Sequence, residues 1–172
     1  MLTIIAQIIG IFAMLFHILA FQFKSNKNVL LCFGAGSLLF SLNYFLLGGL
    51  SGAGFNLINI FRSATAVNKK THNNVFFGIT CLLYLMVAIL TYDNPWTIVL
   101  LLAQLVATFS LWYKDGAFIR RAQISFVSPV WLINNIFVTF TLGGIICEAF
   151  SILSALVSFI RYGKNGFINL ER

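Results

Sequence analysis

The sequence predicts an all-α membrane protein of seven transmembrane helices, built as two parallel three-helix repeats joined by a linker helix. Three observations predict it. Apolar residues make up 60% of the chain and charged residues only 9%, against about a quarter charged in a soluble domain. Apolar stretches follow one another across short polar breaks, each near the roughly 20 residues that cross a bilayer core of about 30 Å. One stretch also returns: NYFLLGGLSGAGFN, from Asn43 to Asn56, is matched by NIFVTFTLGGIICE, from Asn135 to Glu148, with Asn first and Phe, Leu and Gly at the same inner positions.

Apolar windows bounded by polar residues place the spans at 2–22, 29–48, 51–67, 74–92, 96–113, 119–140 and 143–162. The first has no basic leader and outlasts the apolar core of a cleaved signal, so it is expected to stay as a span. The third is the weakest by hydropathy, because Asn56, Asn59 and Arg62 interrupt it. Asn94, Pro95 and Trp96 read as a turn followed by an interfacial aromatic, and Trp112 and Tyr113 suit the opposite interface.

Charge decides between six spans and seven. With the N-terminus outside and the C-terminus cytoplasmic, the inner loops and tail collect Lys24, Lys27, Lys69, Lys70, Lys114, Arg120, Arg121, Lys164 and Arg172, and Arg62 and Arg161 lie toward the same ends. The outer turns near Gly48, Asp93 and Gly143 hold no basic residue, as the positive-inside rule requires. Deleting the third span would scramble that pattern. The net charge of +7 is therefore a matter of topology, and no contiguous basic patch suggests nucleic acid.

The repeat extends beyond its core. FQFK (21–24) and LWYK (111–114) close the preceding spans, and NIFR (59–62) and SFIR (158–161) follow downstream. The units are 1–67 and 96–162, with 74–92 as linker and 163–172 as cytoplasmic tail; an odd linker makes the units parallel. On NYFLLG (43–48), GAGFNLINIFR (52–62), WLINN (131–135), LGGIICE (142–148) and SFIRY (158–162), the chain resembles the YgjV family of bacterial inner-membrane proteins along nearly its whole length. The resemblance implies a multi-pass protein of the inner membrane. The three-plus-one-plus-three layout is similar to that of the SWEET sugar carriers and the PnuC vitamin-precursor transporters. The Pro-Gln pair of the PQ-loop relatives is absent, since the prolines are Pro95 and Pro129, so a sugar substrate has no support.

Polar groups at membrane depth face a partner or a water-filled cavity. Glu148 lies about five residues inside the seventh span, too deep for a loop charge, and is expected to bind a proton, a cation or a polar solute group. Asn56, Asn59 and Arg62 recur every three residues and share a face of the third span. Asn43 from the second span and Ser128, Trp131, Asn134 and Asn135 from the sixth complete a candidate site between the repeats. Within it the equivalent positions Asn56 and Glu148 are expected to face each other, giving a near-symmetric pocket one titratable side. The rival reading is interhelical glue: Glu148 bonded to Asn56 or Asn135, and every Asn holding helices together.

Pro129 is expected to bend the sixth span and free a carbonyl one turn earlier. His17, with Gln7 on the same span, suits an interhelical hydrogen bond better than a proton relay. Gly34, Ala35, Gly36 and Ser37 allow close helix packing and do not form a phosphate loop. Cys32, Cys81 and Cys147, odd in number and each in an apolar stretch, predict neither a disulfide framework nor a metal site. With no GxSxG, HExxH or paired carboxylates, no enzyme and no cofactor are expected. The expected function is a carrier of small polar solutes, with a non-transporting scaffold or partner subunit as the alternative. Its expected partners are membrane lipid, a small polar solute or proton, and further copies of the chain.

Overall fold

The computed structural model describes residues 1–20, 26–68, 70–113 and 116–162. Lys24, Lys69, Lys114, Lys164, Arg172, the whole FQFK motif and the tail at 163–172 lie outside the described residues, as do the side chains of Lys27, Arg120 and Arg161. Among the described residues every regular element is helical. The elements are α1 (Leu2–Ala20), α2 (Asn26–Leu46), α3 (Leu50–Val67), α4 (Asn74–Leu90), α5 (Trp96–Tyr113), α6 (Gly116–Ala122), α7 (Ser128–Ile133) and α8 (Leu142–Tyr162). Two π-helical turns, Gln123–Val127 and Asn134–Val138, follow α6 and α7 without a break. The seven apolar windows thus each hold one rod, with ends shifted by a few residues. In length and apolarity α1 alone, among the described helices, meets the requirement for crossing a bilayer; Leu31–Leu46, Asn74–Leu90, Trp96–Trp112, Gln123–Val138 and Leu142–Ser154 are shorter apolar stretches.

Local chemistry sets the ends. After α2 the Gly49 N–H returns to Tyr44 O at 2.8 Å and Gly48 N–H to Phe45 O at 3.1 Å, with Gly48 at φ +81°. That double bond around a left-handed glycine is a Schellman close, which a β-carbon would strain. Asn73 caps α4, its side-chain oxygen accepting from Val75 and Phe76 N–H. Asn94 Oδ1 accepts from Trp96 N–H at 2.8 Å and so starts α5. The turn before α8 places Phe140 at φ +42°. Gln7 on α1 holds that turn from both sides, donating Nε2 to Phe140 O at 2.6 Å and accepting Leu142 N–H on Oε1 at 2.8 Å.

Pro129 sits in the first turn of α7. It brings no N–H of its own, and just before it the Ser128 N–H reaches back five residues to Gln123 O, widening the helix into a π turn. A second wide turn follows where Thr139 N–H reaches Asn134 O. Two π turns thus flank α7. A spacing of four overshoots an α-helical turn of 3.6 residues, and the wider π turns undershoot it. Gln123, Val127, Trp131 and Asn135 consequently stay on one line facing inward.

Neighbours in sequence are neighbours in space: α1 packs on α2, α2 on α3, α3 on α4, α4 on α5, α5 on α6 and α7, α7 on α8, and α8 returns to α1. Small residues permit the closest approaches. A β-carbon on Gly143 would stand 2.0 Å from Gly10 O, and one on Gly36 would stand 2.2 Å from His17 Nδ1. Polar side chains such as Asn43, Thr80, Gln104, Thr108 and Ser128 are buried, whereas Ile4, Phe12 and Leu19 on α1 and Leu82, Ile89 and Leu90 on α4 stand exposed. That is the reverse of a water-soluble surface.

Candidate functional site

Inside the ring lies a cavity of about 570 Å³, walled by α2 and α3 on one side and by α5, the α6–α7 rod and α8 on the other, with His17 contributed by α1. Small-molecule sites commonly have this size. Six of the nine residues expected at the site line it: Asn56, Asn59, Arg62, Trp131, Asn135 and Glu148. Asn43 does not. It is fully buried, its Nδ2 donating to Ala6 O at 2.7 Å and its Oδ1 accepting from Thr141 Oγ1 at 2.8 Å, so both ends of the amide latch α2 to α1 and to the turn before α8. Asn134 is likewise turned away, bonded to Thr139.

Glu148 sits in the second turn of α8, and its carboxyl meets the Ser128 hydroxyl. Ser128 Oγ accepts from Gln123 Nε2 at 2.8 Å, which leaves its own hydrogen free for the carboxyl. The other oxygen, Oε2, is shielded from solvent and has no partner. Glu148 bonds neither to Asn56, whose Nδ2 donates to Gly52 O of its own helix at 2.9 Å, nor to Asn135, whose Oδ1 accepts from Tyr44 Oη at 2.5 Å. Asn56 from α3 and Glu148 from α8 thus both line the cavity, with no hydrogen bond between them.

Arg62 is the second formal charge on the wall. Its Nη1 donates to Gln104 Oε1 at 3.2 Å, and its buried Nε has no partner. Asn59 Oδ1 accepts from Tyr84 Oη at 2.7 Å, so Tyr84 on α4 holds that amide in place. The apolar wall is aromatic: the Tyr44 ring lies 5.6 Å from that of Trp131, and His17 packs edge-on against Phe33 and Phe40 while its Nδ1 stands 3.1 Å from Ala13 O.

Sequence reasoning missed Tyr44, Gln104 and Gln123. Gln104 carried the same signal as Asn56, a polar side chain amid the apolar LLLAQLVATF, and that test would have found it. Tyr44 resembles an interfacial aromatic in sequence, and only packing shows that it points inward. Cys147 lines the cavity as a free thiol, as Cys32 and Cys81 are free elsewhere.

No curated protein and no solved structure matches the chain. A match to the Imp-YgjV family of bacterial inner membrane proteins runs over residues 4–166 and takes in every residue that lines the cavity; the chain belongs to that family and to the bacterial inner membrane.

Proposed function

We propose that the chain is a multi-pass carrier of small polar solutes whose binding site is the cavity between two three-helix units. One observation carries the reading: a cavity of about 570 Å³ at membrane depth, bounded by helices from both halves of the chain, holds a carboxyl with an unpartnered oxygen. A scaffold whose polar groups only lock helices together would surround Glu148 with packed atoms. In the carrier reading the chain binds and moves its solute without a chemical step.

Several features support seven spans in a three-plus-one-plus-three layout. Exchange α1 with α5, α2 with the α6–α7 rod and α3 with α8, and the packing maps onto itself: α1 on α8 corresponds to α3 on α5, with α4 set beside the latter. Gly48 and Phe140, both at positive φ, occupy the same place in the two copies of the repeat. The exposed apolar faces suit lipid. For orientation, Trp112 stacks on His72 and donates to Asn73 O, which sets the Lys70 turn beside the end of α5; Ser51 bonds to Thr91 and Thr97, which sets the Gly48 and Asp93 turns together at the other end. Basic Lys70 and acidic Asp93 thus mark opposite ends, and the positive-inside rule assigns the first to the cytoplasm.

In this layout the outer end is shut. Tyr44 to Asn135, Asn43 to Thr141 and Gln7 to Phe140 all join the two units near the outer turns. The cavity wall continues from there toward Phe33, Ile119 and Ser154, away from the closed end. Rocking one unit against the other opens the seam and exposes the same site outward.

The test is infrared difference spectroscopy of the protein in lipid nanodiscs, with the Glu148 carboxyl band identified by its loss in Glu148→Gln. A carrier site gives a band that shifts in D₂O and changes with pH across the range where the protein stays folded. A band unmoved by either defeats the reading, since no water then reaches the site.

A further inference from the structure

Among the described residues the cavity wall carries one residue that is always cationic, Arg62, and one carboxyl, Glu148, and each has a buried polar atom without a partner. Two complementary groups in one cavity would ordinarily satisfy each other. Here they do not: Arg62 spends Nη1 on the neutral amide of Gln104, and Glu148 meets the hydroxyl of Ser128. Buried polar atoms are nearly always paired, so each orphan marks a place for a group the chain does not itself provide.

Their depths differ. Glu148 is in the second turn of α8 and Arg62 in the fourth turn of α3, and the turns that precede the two helices touch, a β-carbon on Gly49 lying 2.5 Å from Thr139 Cγ2. At 5.4 Å per turn the two backbones are offset by about 10 Å along the helices. The Trp131 and Tyr44 rings and the amides of Asn56, Asn59 and Gln123 line the same cavity.

We infer that the solute is a zwitterion with spaced charges, its cationic group set on Glu148 and its anionic group on Arg62. The inference rests on the cavity being the solute site. It adds what the site selects: a molecule with either charge alone leaves one orphan buried and bare, which is costly. The same chemistry is offered by a free small solute and by an ethanolamine phospholipid headgroup, whose ammonium and phosphate are also separated.

Calorimetric titration of the purified chain in nanodiscs of phosphatidylglycerol tests this with three probes: 6-aminohexanoate, hexylamine and hexanoate. The zwitterion is expected to bind at least about tenfold more tightly than either single-charge probe, the scale of one charge-assisted contact. Glu148→Gln should erase its advantage over hexanoate, and Arg62→Gln its advantage over hexylamine, each variant first matched to wild type in thermal unfolding. Should either variant unfold, the wild-type ranking of the three probes decides by itself: tighter binding of the zwitterion than of both single-charge probes supports the inference, and its absence overturns it. Repeating the titration in nanodiscs containing phosphatidylethanolamine separates the sources: an unchanged affinity identifies a free solute, and competition identifies the headgroup.

Equal affinity for all three probes, or no binding by any, overturns the zwitterion. The carrier reading survives both results if the Glu148 carboxyl still exchanges with D₂O, and falls independently if it does not.

Discussion

Two asparagines that occupy equivalent places in the repeat have separate tasks. Asn135 lines the cavity and takes the Tyr44 hydroxyl, whereas Asn43 is sealed between α1, α2 and the turn before α8. Asn43→Ala removes two interhelical bonds and leaves the Thr141 hydroxyl without its acceptor, so we expect a loss of about 2 kcal/mol in reversible unfolding. Affinity for 6-aminohexanoate should stay within about twofold, because the site keeps all its walls. A large loss of affinity at full stability would return Asn43 to the site. Sequence could not make this distinction: an amide in an apolar span must face something polar, and hydropathy does not say whether that is a backbone carbonyl or a cavity. Glu148 was legible because a carboxyl at that depth is too costly to be incidental. Its relay through Ser128 to Gln123 was not, since it depends on how a π turn rotates the sixth rod.

At the scale of elements, the apolar windows located each rod. The turns carry the finer information. Gly48 and Phe140 hold the same position in the two copies and both adopt positive φ, yet only the first is a glycine. A side chain in that region costs about 1 kcal/mol or more, and Gln7 holds the second turn in place by bonding both of its sides. Gly48→Ala is therefore expected to destabilise by about 1 kcal/mol. Phe140→Gly should stabilise by a similar amount less the lipid contacts of an exposed ring, and Gln7→Ala should enlarge that gain. Thermal unfolding of the three variants and of the Gln7→Ala, Phe140→Gly double variant measures it. If Phe140→Gly loses as much as Gly48→Ala, the two turns are not equivalent and the repeat loses one of its supports.

For the whole molecule, the carrier proposed above requires that one seam move. The bonds near the Gly48 and Phe140 turns, through Tyr44, Asn43 and Gln7, are specific and short, and in the proposed layout they join the two units at the outer end. The join at the other seam, between α3 and α5, includes the longer Arg62 to Gln104 contact inside the cavity itself. A carrier with its outer end shut must break the outer set to turn outward, and Tyr44 is the member that also touches the cavity. Removing its hydroxyl takes away about 1 kcal/mol from the closed state and nothing from the open one, which raises the outward-open population roughly fivefold. Cys147 reports it without any added label site, since its thiol is free and lines the cavity. With Cys32 and Cys81 replaced by Ala, an impermeant maleimide applied from the outer side should label Cys147 slowly in the parent and about fivefold faster in Tyr44→Phe. A saturating zwitterion bound between Glu148 and Arg62 should slow both rates by covering the thiol. Equal outer labelling of parent and Tyr44→Phe would show that the outer seam does not gate the cavity, and the moving boundary would then have to be sought between α3 and α5.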